Sequence, residues 1–487
     1  MRTTQKLFHI LMIVGLLFSL ISATGIARAD DGGSFDPQAV DAFLTEQVKA
    51  NRIPGLAFAM VKDNQVVMLK GYGEAAPGVP VTPQTQFYIG SVTKSFTALA
   101  VMQLVEQGKL ELDAPVQQYL PWFKVADEQA SAQITVRNLL NHTSGLSEKG
   151  DPNASAYTDS LDEQARLLSE VQLTAPVGTQ FQYYNQNYRL LGRLIEEVSG
   201  QSYTDYMRTN VFEPLGMLHS VTNPADAPSL AQGYSRFFGF PLRQNQMYSP
   251  GRVPSGLMIT TAEDMANFLL AQLNNTRADG SAMLASQWLA EMRTPPAGID
   301  SEYGMGWLVA ENGNVLAHGG AIEYFHAFVA MRLDEKTGFA ILCNQDSMLS
   351  MLTDIEVMQD GLMKMMFGEI PQRTTYGWVG WVLLALAALD LLNHLRLFRM
   401  LPRWVEKTAR QPRAWLWIRV ILGILIPLLI LFGVPLLVKS TEGGSPTWME
   451  GFSLMPDLVA WLLVGVCLNL FRSLLHAFAL LRVPVRQ

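Results

Sequence analysis

The stretch "FYIGSVTKSFTAL", residues 87–99, places Ser91 three positions before Lys94 at the start of an apolar helical run. Residues at i and i+3 share a helical face, so the hydroxyl and the amine are neighbours. By itself a serine here is an ordinary helix cap. What sets it apart is that no other serine among the 487 residues has a lysine three places on. A helix N-terminus also carries the positive end of the macrodipole, where a developing anion is stabilised. A serine hydroxyl is a poor nucleophile until a base takes its proton, and a desolvated lysine is one group able to do so.

Two further patterns follow in the chain. "PVGTQFQYYNQNYRLLGRLIEEVSG" holds Tyr183-Tyr184-Asn185, and a strand-like run holds His318-Gly319-Gly320. The order Ser-x-x-Lys, Tyr-x-Asn, His-x-Gly resembles the serine β-lactamase and penicillin-binding-protein superfamily, of the class C type. "HTSGL" at 142–146, "FEPLGM" at 212–217, "TAEDMANF" at 261–268 and "YGMGW" at 303–307 resemble recurring segments of the same family, so the likeness runs over roughly residues 36–367. Context of this kind is what confirms a short motif.

The resemblance implies an acyl-enzyme formed on Ser91, with either Lys94 or Tyr183 as the base. It also implies that Asn185 fixes Lys94 and the substrate amide, and that His318 and Gly320 line the substrate or relay side. His318 is expected to help hold the relay or a substrate carboxylate. By the same analogy the backbone N–H groups of Ser91 and Ala321 form the oxyanion hole. The chain departs from the antibiotic-degrading members at the third motif, where His-Gly-Gly replaces Lys-Thr-Gly and a titratable group replaces a fixed cation. His142, His219 and His326 read as structural. No metal-ligand spacing is present, so neither metal nor other cofactor is expected.

Around these motifs the pattern predicts an α+β fold. "GLAFAMVKDNQVVMLKGYG" reads as a hairpin turning at Lys62 to Gln65, and "YGMGWLVAENGNVLAHGG" and "HAFVAMRLDEKTGFAILCN" read as two more at 303–320 and 326–344. Between them, from Ser91 to about Met292, lie mostly helices and turns. An antiparallel sheet built from both ends with a helical insertion leaves the fewest exposed edges. The aromatic stretch "GYSRFFGFPLRQNQMYSPGRV" reads as a loop lining a groove.

Hydrophobic residues make up 49% of the chain and charged ones only 16%, which points to contact with lipid. Residues 1–29 carry Arg2, Lys6, a long apolar run and Ala27-Arg28-Ala29, the pattern of a secretory signal peptide. Residues 30–370 form the hydrolase domain and 371–375 a linker. Three apolar runs at about 376–397, 414–438 and 458–481 are long enough to span a bilayer. The first connection between them holds Arg399, Arg403, Lys407, Arg410 and Arg413 against Glu406, so the positive-inside rule puts it in the cytoplasm and the hydrolase domain outside. Within the spans, Asp390 is expected to pair with Arg472 or Arg419, with Asn469 and His476 on the same face of the third helix as Arg472.

Residues 1–29 carry +3 and 376–487 carry +6 of the chain's −7, which leaves −16 on residues 30–375 and argues against nucleic-acid binding. The two cysteines, Cys343 and Cys467, lie in different regions, so no disulfide framework holds the domain. The expectation is a membrane-tethered, extracytoplasmic serine hydrolase of the D-alanyl-peptide carboxypeptidase or penicillin-binding-protein kind. An esterase or β-lactamase of the same fold fits the same residues. A β-lactam or wall-fragment sensor that acylates without turnover is the alternative of another class. The sequence leaves the oligomeric state open.

Overall fold

A computed structural model of the chain describes residues 35–408, 411–442, 448, 451–452 and 455–482. The expected signal peptide lies outside the described residues. The strands, in chain order, are β1 (Gly55–Lys62), β2 (Gln65–Ala76), β3 (Val79–Pro80), β4 (Phe87–Tyr88), β5 (Gly233–Phe237), β6 (Phe240–Gln244), β7 (Ile259–Thr260), β8 (Leu308–Ala310), β9 (Val315–Ile322), β10 (Phe325–Arg332) and β11 (Thr337–Cys343).

Seven of them form one sheet in the order β3-β2-β1-β11-β10-β9-β8. The two chain ends meet at the antiparallel β1–β11 pair, where Leu56 faces Cys343 and Lys62 faces Thr337. The sheet built from both ends is therefore as expected, with residues 81–307 inserted between β3 and β8. Asp63 and Asn64, both at positive φ, make the two-residue turn of the first hairpin. Asx residues tolerate that backbone region, and such a turn matches the strand twist.

Period-two alternation decides which side chains face which layer. Ala57, Ala59 and Val61 of β1 and Ala340 and Leu342 of β11 pack under the helical insertion. Leu56, Phe58 and Met60, with Phe339, Ile341 and Cys343, pack against the two terminal helices, Pro37–Asn51 and Glu356–Met366. Both faces are covered, so "GLAFAMV" is apolar throughout rather than alternating. The first helix starts where the Asp36 carboxylate caps the N–H groups of Gln38 and Ala39 at 2.9 and 3.0 Å, with Pro37 following.

One expectation is corrected here. The aromatic stretch after Gly233 is a β5–β6 hairpin, with Phe238 and Gly239 at positive φ in its turn. Its strand signal was masked by Pro241, which is tolerated on an edge strand.

Three C-terminal helices, Gly377–Arg399, Arg413–Glu442 and Pro456–Arg482, are long and apolar enough to cross a membrane. The first is seated on the preceding domain. Tyr376 N–H donates to Asn51 Oδ1 at 3.0 Å, and Arg52 lies over both Trp381 and Phe240, 5.1 and 5.3 Å from their ring centres. A Cβ on Gly380 would come within 2.4 Å of the Gly239 backbone, so only glycine allows the helix to approach the β5–β6 turn this closely.

Among the described residues no arginine lies within ion-pair distance of Asp390, contrary to expectation. Its carboxylate accepts from Trp461 Nε1 at 3.2 Å and lies 3.8 Å from His394 Nε2, while Arg472 donates to Asn469 Oδ1 on its own helix at 2.8 Å. The two helices are staggered, so Asp390 is level with Trp461 and Gly465, roughly 10 Å short of Arg472 at 1.5 Å per residue.

Candidate active site

Ser91 lies in the single helical turn Gly90–Val92 that leads into the buried helix Thr93–Glu106. This turn is pressed onto β9. A Cβ on Gly90, whose φ is +51°, would fall 2.5 Å from the Ala321 nitrogen, and one on Gly320 would fall 2.0 Å from the Ile89 carbonyl oxygen. The two glycines bring the Ser91 turn and the Gly320–Ala321 backbone together, which answers what Gly320 contributes: closeness rather than a side chain. N–H groups at a helix start are not consumed by helical bonds, and Ser91 in that turn and Ala321 on β9 both line the cleft.

Lys94 is fully buried. Its Nζ lies 3.0 Å from Ser91 Oγ, 2.8 Å from Asn185 Oδ1 and 2.7 Å from the Ser255 carbonyl oxygen. Asn185 opens the helix Asn185–Ser199, and its Nδ2 donates to Glu148 at 3.3 Å, which fixes the amide with its oxygen toward the lysine. Two of the three neighbours of Nζ can only accept, whereas the Ser91 hydroxyl can also donate. An uncharged amine fits this set with two N–H bonds and its lone pair toward the serine proton. Burial, with the Arg189 charge added, holds the Lys94 amine well below its ordinary value, against the pull of Glu148.

The Tyr183 side chain is 38% exposed. Its ring centre is 4.7 Å from Lys94 Nζ, and its ring lies 4.4 Å from the His142 imidazole. Burial of the hydroxyl raises the phenol, with the Ser91 hydrogen bond opposing. A raised phenol rests protonated, suited to giving a proton rather than taking one.

His318 sits on β9 with both ring nitrogens engaged: Nδ1 is 2.6 Å from the Gly319 carbonyl oxygen and Nε2 is 2.9 Å from the Tyr303 hydroxyl. The carbonyl requires a proton on Nδ1, so Nε2 accepts from the phenol. Burial above all holds the imidazole down to about 3, against the pull of the Gly319 carbonyl. A neutral ring with both nitrogens occupied does not supply a cation for a substrate carboxylate, so the fixed charge missing from the third motif is not replaced by His318. His142, read as structural, is buried among the rings of Tyr183, Tyr188 and Tyr303 and accepts at Nδ1 from the Tyr184 N–H at 3.2 Å.

The expected residues Ser91, Lys94, Tyr183, Asn185, His318, Gly320 and Ala321 thus converge on one corner. Sequence reasoning missed the Ser255 carbonyl, Glu148, Tyr303, and the guanidinium groups of Arg189 and Arg252. Ser91, Asn185, Ser255, Ala321, Arg189 and Arg252 line one cleft of about 250 Å³. Among the described residues no group of three or more His, Cys, Asp and Glu side chains is placed to hold a metal ion.

Comparison with known proteins follows the same line. Protein flp from Staphylococcus aureus (strain COL) is 28% identical over 318 residues, covering 64% of this chain, and the chain spans only 63% of flp's length. Penicillin-binding protein 4 from Amycolatopsis lactamdurans is 31% identical over 331 residues, covering 65% of this chain and 86% of that protein. Among solved structures, the octameric penicillin-binding protein homologue from Pyrococcus abyssi superposes with a TM-score of 0.60 at 27% identity, covering 70% of this chain and 79% of its own. SurE superposes with a TM-score of 0.58 at 25% identity, covering 70% and 78%. Residues 40–361 match the family model described as Beta-lactamase, and the chain belongs to that family, within the serine β-lactamase and penicillin-binding-protein superfamily.

Proposed function

We propose that this protein is a membrane-tethered, outward-facing serine hydrolase that works through an acyl-enzyme on Ser91, with small amides or esters as substrates and D-alanyl peptides as the leading class. One observation carries the reading: the buried Lys94 amine, held by two acceptor-only oxygens, points its third position at the Ser91 hydroxyl. Lys94 takes the serine proton as Oγ attacks the carbonyl carbon. The oxyanion forms toward the N–H groups of Ser91 and Ala321, and the protonated Tyr183 beside Ser91 gives its proton to the leaving group. When water attacks the acyl-enzyme, the Tyr183 phenolate takes its proton and Lys94 returns its own proton to the departing Ser91 Oγ, which restores all three groups. The basic first connection between the C-terminal helices and the long apolar helices themselves support the tether and the outward placement.

The test uses the full-length protein in detergent with a fluorescent penicillin, nitrocefin, a D-Ala-D-Ala peptide and p-nitrophenyl esters. Wild type is expected to be acylated and to turn over at least one of these, and Ser91→Ala to lose all covalent labelling. Labelling that survives in Ser91→Ala would sink the assignment. Label retained without turnover of any substrate would favour the sensor instead.

A further inference from the structure

The β5–β6 hairpin takes no part in the chemistry of Ser91, yet its turn is where the domain meets two of the C-terminal helices. The Phe238 N–H donates to the buried Asp457 carboxylate at the start of Pro456–Arg482, and Gly239 touches Gly380 of Gly377–Arg399. Both helices are met in their first turn, with Gly380 about 5 Å along the first helix. The first and third spans of a serial bundle run in the same direction, so their starts lie at one face of the bilayer. The hairpin turn is level with both.

Strand β6 faces outward from this point. Phe240, Pro241, Leu242 and Arg243 are all exposed, and among the described residues no strand pairs with the outer edge of β6. Phe240 and Leu242 share one face, 44% and 37% exposed. That face continues into the first helix, where the Phe240 and Trp381 rings meet edge-on at 5.1 Å and both Trp378 and Trp381 are exposed. In water an open edge strand carrying large apolar side chains is an aggregation hazard. At the mouth of a spanning helix the same composition is favourable, because tryptophan belts the interface and arginine keeps its charge among the headgroups while its stem lies on apolar surface. Arg52, over the Phe240 and Trp381 rings, and the exposed Arg243 supply that second element.

We propose that the β5–β6 hairpin is a membrane wedge, with Phe240 and Leu242 inserted into the leaflet on the domain's side and the lipid bilayer as partner. This rests on the membrane tether proposed above and goes beyond it, since spans and a connector alone leave a domain clear of lipid. Continuity with Trp378 and Trp381, which the first helix holds at its own entry, selects lipid over a second protein as the occupant. The wedge also reaches the cleft. From the turn β5 runs back to Tyr234, whose N–H donates to the Asn344 carbonyl at 2.9 Å and whose carbonyl accepts from the Asp346 N–H at 3.1 Å, and Asp346 lines the cleft. The strand from Gly239 to Tyr234 spans at most about 17 Å, so that wall of the cleft stands within one short strand of the lipid.

The test places the fluorophore NBD on single cysteines in the full chain, reconstituted into vesicles of phosphatidylethanolamine and phosphatidylglycerol. Cys343 is buried, and the exposed Cys467 is removed by Cys467→Ser. Leu242→Cys reports on the hairpin, Leu308→Cys on β8 at the far edge of the sheet reports on water, and Leu429→Cys midway along the second helix reports on the bilayer; all three positions are exposed. The Leu242 probe is expected to be quenched by lipids carrying a nitroxide on the acyl chain, and to be quenched by aqueous iodide at least about threefold less than the Leu308 probe. Iodide quenching equal to that at Leu308, or no quenching by lipid, while the Leu429 probe is quenched by lipid, would overturn the wedge and leave the tether standing. A Leu429 probe that lipid does not quench would overturn both.

Discussion

The β-lactamase-like domain and the C-terminal helices differ in how far along the chain their polar groups find partners. In the domain the partners come from far along the chain: Lys94 is held by Asn185, 91 residues on, and by Ser255, 161 residues on. Arg236 and Asp354, both buried, form an ion pair of 2.6 Å between the β5 strand and the last helical segment. In the C-terminal helices several contacts are local, with His394 four residues from Asp390 and Arg472 three from Asn469, while the Trp461–Asp390 and Arg413–Leu480 bonds cross between helices. The difference teaches where polar groups define tertiary structure. In the domain, losing one strands a partner from another element. In the helices, association rests mainly on close packing, as where a Cβ on Gly423 would fall 2.3 Å from the Ser473 hydroxyl.

The contrast can be broken most sharply at Lys94. Lys94→Ala is expected to lower the acylation rate by about 10²–10⁴-fold, the scale of a general base. In wild type, the rate should fall only as pH drops through the lowered Lys94 value, so the acid limb of the pH profile lies well below the ordinary lysine value of 10.5. A limb centred near 10.5 would mean that the amine is charged at rest. The same group links to stability: the unfolded chain binds more protons between the lowered value and 10.5, so stability contributed here rises with pH across that window.

Asp354→Asn comes next. It leaves the buried Arg236 without its counter-charge and is expected to cost about 3 kcal/mol in chemical denaturation. A loss under about 1 kcal/mol would show that the pair is no more integral than a surface bridge. The smallest effect is expected from Asp390→Asn. Its side-chain oxygen still accepts from Trp461, and a polar contact between membrane helices averages about 0.6 kcal/mol, so the detergent unfolding midpoint should barely move. A large loss there would erase the distinction between the two regions.

The same distinction governs what was legible in the sequence. Local signals carried well: the Asp63–Asn64 turn, the apolar β1 and β11 runs, Ser91 beside Lys94, and the three long apolar helices. The site corner was legible as residue types in order, because the chemistry needs a hydroxyl, an amine and a phenol. What it could not show was the Ser255 carbonyl, since a backbone atom leaves no side-chain signature, or Arg189, which reads as one more polar position on an amphipathic helix. His318 was visible as a strand histidine, but its neutrality depends on Tyr303 and on burial, neither of which is local. Asp390 failed for a related reason, because depth counted along each helix ignores the stagger between them.

The seat between Gly239 and Gly380, with Arg52 clasped by Phe240 and Trp381, removes the swivel that a short connector would otherwise give. The cleft is thereby held in a fixed pose relative to the first C-terminal helix, a pose set by this footing and not by the slack in residues 371–375. Lengthening that segment would add idle chain and leave the distance from Ser91 to that helix unchanged. Replacing Gly380 by a bulky residue would instead unseat the domain and let that distance vary.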